Sequence, residues 1–170
     1  YTRLVGEATT LMAQAYYNGA QGWFRIWDAG RARLQQYGLD GHFVGLVLGD
    51  RQRAGRLGLK WGANAKDFTR DHFMDVVGGS RAYVNTGFKN EYNTFLKATW
   101  DAGRARLWAD AQVRHARFEY RGDQPLGSVS WTFFNPKAGV RFDPAPSIGL
   151  YASVGGMGRE PARADMLNGE

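Results

Sequence analysis

The clearest signal in the chain is an alternation of period two. Over residues 104–120 the odd positions read Ala105, Leu107, Ala109, Ala111 and Val113. The even positions read Arg104, Arg106, Trp108, Asp110, Gln112 and Arg114. A helix would scatter these residues around its circumference, whereas a strand sorts them into one apolar and one polar face, so the pattern predicts a strand. The apolar face holds from Ala105 to Val113 and breaks at His115. That run suits the about 9–11 residues of a membrane-crossing strand and exceeds the about 5–6 of an ordinary soluble one.

The preceding segment, residues 88–100, alternates Tyr92, Thr94, Leu96, Ala98 and Trp100 against Asn93, Phe95, Lys97 and Thr99. Asp101-Ala102-Gly103 then reads as a tight hairpin turn, with glycine free to adopt positive φ. In this register Ala105, Leu107, Ala109, Ala111 and Val113 share an outer, convex face with Leu96, Ala98 and Trp100. Arg106, Asp110, Gln112 and Arg114 line the concave side. Trp100 stands where the aromatic girdle of a membrane barrel would place it, and equally where an ordinary hairpin tryptophan would cover a soluble core. A second hairpin comes next, residues 131–142 and 147–156 joined by Asp143-Pro144-Ala145-Pro146. The first half is weaker. Strands are predicted over residues 54–65, 35–48 and 2–14, with a turn near Gly49-Asp50-Arg51. The sum is an all-β, antiparallel up-and-down meander of about seven strands. It reads as part of a transmembrane β-barrel wall, open at both edges as a fragment.

The connections alternate in length on this reading. Short turns fall at residues 49–53, 101–103 and 143–146, and long polar stretches at residues 16–30, 66–87 and 121–130. Outer-membrane barrels put short turns on the periplasmic side and longer loops outside, and a soluble meander has no reason to do so. A repeat has no explanation at the level of sequence. The octapeptide Trp-Asp-Ala-Gly-Arg-Ala-Arg-Leu occurs at residues 27–34 and again at 100–107. A single repeat does not establish a solenoid.

Composition narrows the classes. The net charge is +6, but Arg104, Arg106, Arg114 and Arg117 are spread singly along an alternating segment, which argues against nucleic acid as a partner. No cysteine is present, which removes disulfide frameworks, cysteine-ligated metals and thiol nucleophiles. No run of about 18 apolar residues exists, so no transmembrane helix is expected. Abundant glycine and aromatics with few prolines suit a membrane barrel or a soluble β-sandwich. The chain opens on Tyr1 without a signal peptide, and both ends read as cuts in a longer protein.

Catalytic chemistry is not in evidence. His42, His72 and His115 have no partner at a zinc-ligand spacing such as HExxH, so no metal site is expected. No phosphate loop, nucleophile elbow or carboxylate pair appears. The expectation is a protein that is not an enzyme and holds no cofactor.

The last forty residues carry a resemblance. Residues 131–140, Trp-Thr-Phe-Phe-Asn-Pro-Lys-Ala-Gly-Val, resemble a "FNPKAG" strand common in the barrels of TonB-dependent outer-membrane receptors. Residues 150–155, Leu-Tyr-Ala-Ser-Val-Gly, followed by Arg159-Glu160-Pro161, resemble the "LYAS…REP" strand and loop entry that come next in that family. The resemblance implies active uptake of a scarce ligand, such as an iron–siderophore complex or cobalamin, across the outer membrane of a Gram-negative bacterium. The implied partners are outer-membrane lipid, a small-molecule ligand such as a metal chelate, and the TonB complex, reached through a plug. The family's barrel has about 22 strands closed by an N-terminal plug. Neither plug nor TonB box is found here, so residues 1–170 are expected to be part of the barrel domain, without plug or barrel C-terminus. Ligand contacts would come from extracellular loops and the lumen near them: Tyr16, Tyr17, Trp23, Arg70, His72 and Arg159. Arginine and aromatic residues suit anionic ferric siderophores. The rival readings are another outer-membrane barrel, porin-like or enzymatic, and a soluble β-sandwich binding module.

Overall fold

Where the sequence alternates, the backbone is extended and paired to its neighbour along nearly its whole length. In a computed structural model that describes residues 1–5, 8–162 and 165–166, the chain forms one eight-stranded sheet with strands in sequence order. The strands are β1 (Thr2–Val5), β2 (Thr9–Trp27), β3 (Leu34–Ala54), β4 (Leu57–Val76), β5 (Arg81–Ala102), β6 (Ala105–Gly122), β7 (Leu126–Ala145) and β8 (Ile148–Gly155). Each pairs antiparallel with the next, and β1 and β8 are the edges. Among the described residues no helix is long and apolar enough to cross a membrane.

The predicted register of the central hairpin holds. Leu107 lies opposite Trp100, Ala109 opposite Ala98 and Ala111 opposite Leu96. The same rows continue through Leu57, Leu59 and Trp61 on β4 and Val140, Ala138 and Pro136 on β7. These side chains form an apolar belt, and Leu96 and Trp100 are each about half exposed. On β5 the belt runs from Tyr92 to Trp100, and on β7 from Phe134 to Phe142, with an aromatic residue at each limit. Each span suits one bilayer crossing of about 9–11 residues. The opposite face carries the row Lys60, Lys97, Asp110 and Lys137. There the Lys97 ammonium sits 4.8 Å from the Trp108 ring centre. Trp108 is paired with Gly139, and a Cβ at Gly139 would fall 2.6 Å from the indole. The glycine of the FNPKAG segment therefore makes room for a large side chain across the strand pair.

Three expectations are corrected. Residues 2–14 are not one strand but a hairpin of β1 and the start of β2, giving eight strands. The turn expected at residues 49–53 lies inside β3, and the chain reverses at Gly55, whose φ is 57°. The long loops expected at residues 16–30, 66–87 and 121–130 are mostly strand. What remains of them is residues 28–33, 77–80 and 123–125, against two-residue turns at 55–56, 103–104 and 146–147 at the other end. The length contrast keeps its direction but not its size.

The reason is a change of phase. β2 to β7 have 18 to 22 residues. At about 3.3 Å per residue they are roughly twice as long as the hydrocarbon core is thick. Past the belt the outer rows turn polar: Asp67, Asn90, Arg117 and Ser130 are successive partners across four strands. On β6 the other face turns apolar there. Ala116, Phe118 and Tyr120 of β6 are the buried hydrophobic residues among those described. Below this boundary the sheet is patterned for lipid outside, and above it for water outside. A search for one continuous alternation ends at the inversion and takes the outer parts of β2, β4, β5 and β7 for loop.

The repeated octapeptide also has an explanation. Both copies are hairpins in one register, with Trp27 opposite Leu34 and Trp100 opposite Leu107, at opposite ends of the sheet. In the first copy the Asp28 N–H donates to the Arg33 carbonyl at 3.0 Å, and the Asp28 carboxylate accepts the Ala32 N–H at 2.8 Å. Arg31 there takes a φ of 52°. In the second copy pairing continues to Ala102 and Ala105, Gly103 takes a φ of 71°, and Arg106 donates to Asp101 at 2.5 Å. The octapeptide codes a β-turn and a Trp–Leu cross-strand pair, which either end of a meander can use.

Candidate functional site

Two clusters stand out on the face opposite the belt. The first is ionic. Lys66 lies directly opposite Glu91, with 3.7 Å between ammonium and carboxylate. Lys89 approaches Glu91 at 3.4 Å, and Arg114 donates to it at 2.6 Å. Glu160 enters from the segment after β8 and accepts from Arg114 at 2.7 and 2.9 Å, and from Lys89. Backbone and side-chain tethers bring it there. The Gly156 N–H donates to the Pro136 carbonyl at 3.0 Å, and the Gly158 N–H to Asn135 Oδ1 at 2.8 Å. Asn135 is buried and donates in turn to Gln112 at 3.3 Å. The two motifs that carry the family resemblance thus touch. Asn135 of the first holds the chain that delivers Glu160 of the second. Arg159 lines a shallow hollow of about 350 Å³ beside Lys89, Arg114 and Phe118.

The second cluster lies farther from the two-residue turns. A cavity of about 710 Å³ is lined by Phe24, Tyr37, Leu39, Arg70, His72, Tyr83, Asn85 and Tyr120, among others. Successive partners place most of these on one face: Leu39, His72 and Asn85 form one row, and Tyr37, Met74 and Tyr83 another. Phe24 and Tyr37 stack at 5.4 Å with their planes 12° apart. His72 and Tyr120 lie 6.1 Å apart. The Arg70 guanidinium sits 4.7 Å from the Phe68 ring centre. Arg70 is five residues past the belt limit on β4, roughly 16 Å along the strand.

The six residues expected at a ligand site are only partly gathered. Arg70 and His72 come together in the cavity. Tyr16 is on the same face but lower, edge-on to Phe43 at 5.9 Å and accepting from Asn64 at 3.4 Å. Tyr17 lies on the belt face, exposed and stacked on His42. Trp23 falls in the belt-face rows, 4.9 Å from the Arg25 guanidinium, and is also one of the residues that line the cavity. Arg159 belongs to the separate hollow. Phe24, Tyr83 and Asn85 escape the sequence reading because residues 16–30 and 66–87 read as loops, and loops have no register; Tyr37 and Tyr120 fall in the expected strands of residues 35–48 and 104–120, which have no such partners on that reading. The inversion after His115, which moves the apolar residues to Ala116, Phe118 and Tyr120, was the available signal. Among the described residues no group of three His, Asp or Glu side chains is placed to hold a metal ion.

Comparison with known proteins agrees with this geometry. The copper transporter OprC superposes with a TM-score of 0.77 at 18% identity, covering 91% of this chain and 27% of OprC. The ferric citrate transporter FecA in its unliganded form gives 0.75 at 11% identity, covering 89% of this chain and 25% of FecA. The ferric yersiniabactin uptake receptor FyuA from Yersinia pestis gives 0.70 at 9% identity, covering 88% of this chain and 26% of FyuA. At these identities the likeness is one of fold. The chain spans about a quarter of the length of these structures. No curated protein sequence matches it significantly. The profile of the TonB dependent receptor-like β-barrel family matches residues 2–169. The chain belongs to this family of receptors, and it forms an unclosed, eight-stranded part of such a barrel.

Proposed function

We propose that this chain is a stretch of barrel wall from an outer-membrane receptor that takes up a scarce metal chelate, such as an iron–siderophore complex, or a ligand such as cobalamin, with energy delivered through TonB. The observation that supports this most is the two-zone sheet. A belt limited by Tyr92, Trp100, Phe134 and Phe142 faces lipid, and past it the opposite face offers an aromatic cavity with Arg70 and His72. The belt anchors the wall in the bilayer. The strands beyond it carry the ligand-facing surface outward. FecA, OprC and FyuA are named for ferric citrate, copper and ferric yersiniabactin, and this chain's ligand is proposed from the same broad class, metals and their chelates.

The test uses the complete receptor, expressed in Gram-negative cells stripped of their own ferric-chelate receptors, with TonB present or deleted. Accumulation of a labelled ferric chelate or of cobalamin that requires TonB is the expected result. Passage that ignores TonB and saturates only with gradient would mark a porin-like channel and overturn the proposal.

A further inference from the structure

We propose that Arg3 and Asp50 form a lipid-facing site for the phosphoethanolamine headgroup of a phospholipid in the inner leaflet. The inference rests on the belt facing lipid and goes beyond ligand uptake. The carrying observation is a buried carboxylate on the belt face. Asp50 is 5% exposed, and its Oδ1 is buried without a partner. It belongs to the belt rows. Its partners across the sheet are Leu11 and Trp61, and the row continues through Leu96, Ala111 and Pro136. A buried charge left unpaired is costly, and an ionisable group on a membrane-spanning strand points to a function. The outward residues of β3 run Val44, Leu46 and Leu48, each a little under half exposed, and then Asp50 and Gln52. Barrel strands tilt against the barrel axis, so the edge of the belt steps from row to row. On β3 the apolar stretch ends at Leu48, and Asp50 lies on the side of the two-residue turns, at headgroup depth.

The groups around the carboxylate leave its charge unanswered. The Trp61 indole N–H donates to Asp50 Oδ2 at 3.2 Å, and the Gln52 amide donates to the same oxygen at 2.6 Å. Both donors are neutral, and among the described residues no cation pairs with Asp50. A cation stands in the same row. Arg3 of β1 is paired with Leu11, which is paired with Asp50. Directly paired residues share a face, so Arg3 and Asp50 stand on one side of the sheet, two strand spacings or about 10 Å apart. Arg3 is exposed and has no ion pair among the described residues. Leu11, also exposed, lies between them. A cation and an anion held apart over an apolar floor match a zwitterion. The lipid phosphate meets the Arg3 guanidinium. The ammonium, two carbons away, meets Asp50 in place of the exposed Gln52 amide. A primary ammonium has three donors and so supplies Oδ1 as well. A trimethylammonium has none, and a phosphoglycerol headgroup brings only a negative charge to Asp50.

The experiment titrates the delipidated complete receptor, in detergent, with short-chain phosphatidylethanolamine, phosphatidylcholine and phosphatidylglycerol. Native mass spectrometry counts the bound lipid. The ethanolamine lipid should bind tightest. Asp50→Asn should weaken it by about tenfold or more, the range of a lost hydrogen bond to a charged group, and should remove most of its margin over the choline lipid. Arg3→Gln should weaken the ethanolamine and choline lipids alike, since both carry the phosphate. Heat-modifiable gel mobility checks that each variant is folded, and Arg3→Gln carries the test if Asp50→Asn does not fold. Equal affinity for the three lipids, or ethanolamine binding unchanged in both variants, would overturn the site. Equal loss of thermal stability in both variants with no lipid added would show that Arg3 and Asp50 pair with each other, and also overturn it. TonB-dependent uptake by a receptor with no headgroup preference would keep the uptake reading and discard this one. Asp50-dependent selection of the ethanolamine lipid without any uptake in cells would do the reverse.

Discussion

Glu160 and Asn135 show how a few residues fix a segment that no strand ladder holds. Residues 156–162 depend on the Gly156 and Gly158 tethers and on the ion pairs of Glu160 with Arg114 and Lys89. Both Glu160 and Arg114 are less than one-fifth exposed, so solvent screens these pairs little. Glu160→Gln would leave Lys66, Lys89 and Arg114 facing Glu91 alone. The expected local loss is about 1–3 kcal/mol, the range for a hydrogen bond to a charged group. Amide exchange over residues 156–162 in the complete receptor should rise, while exchange in β6 stays as it was. Asn135→Ala should act on the same residues through Gly158 and Gln112, by about 1 kcal/mol. If exchange in the segment is unchanged in both variants, the tethering is wrong.

At the scale of the element, each strand is one backbone with two patterns. Ala109 sits mid-belt, its row completed by Ala98 and Ala138. Asp110 sits next to it on the other face between Lys97 and Lys137. Ala109→Arg should cost about 2–4 kcal/mol of barrel stability, as for a cation at the bilayer midplane. Arg at the lumen-facing position 112 should cost much less. Denaturant unfolding of the complete receptor in lipid reads both, and equal costs would deny that the belt faces lipid. The belt halves of β4 to β7 were legible in the sequence, because small and aliphatic residues recur strictly at every second position from Ala105 to Val113 and from Leu57 to Trp61. In β3 the belt end read as a turn instead. The outer halves of β2, β4, β5 and β7 were not legible. There Phe68, Arg70, His72 and Met74 occupy one face while Asp67, Thr69, Asp71 and Phe73 occupy the other, so both faces mix polar and apolar residues. Hydrogen bonding between strands keeps these backbones extended, and that pairing depends on partners in neighbouring strands, as Met74 with Tyr83 and Tyr37, rather than on local pattern. The cavity was lost with them: Arg70 and His72 were visible as residue types, but only register brings Tyr37, Tyr83 and Tyr120 to their side.

The whole sheet has two bare edges, β1 and β8, and a belt with nothing packed against it. In a complete barrel every edge is paired and lipid covers the belt. Residues 1–170 expressed alone in water should therefore aggregate. Detergent should not restore a monomer, since it covers the face but cannot pair the edges; size-exclusion chromatography reads both, and a soluble monomer that unfolds cooperatively in plain buffer would favour a β-sandwich. The central claim, that one face meets lipid up to His115 and water beyond it, has a more direct measurement. Residues 1–170 contain no cysteine, so in a complete receptor freed of any cysteine elsewhere, single cysteines introduced along β6 each report one position, in cells, to a membrane-impermeant thiol reagent. Positions 107, 109, 111 and 113 should resist the reagent, and 117, 119 and 121 should react readily from outside the cell. Uniform labelling along the odd positions, or protection that continues past His115, would contradict the account.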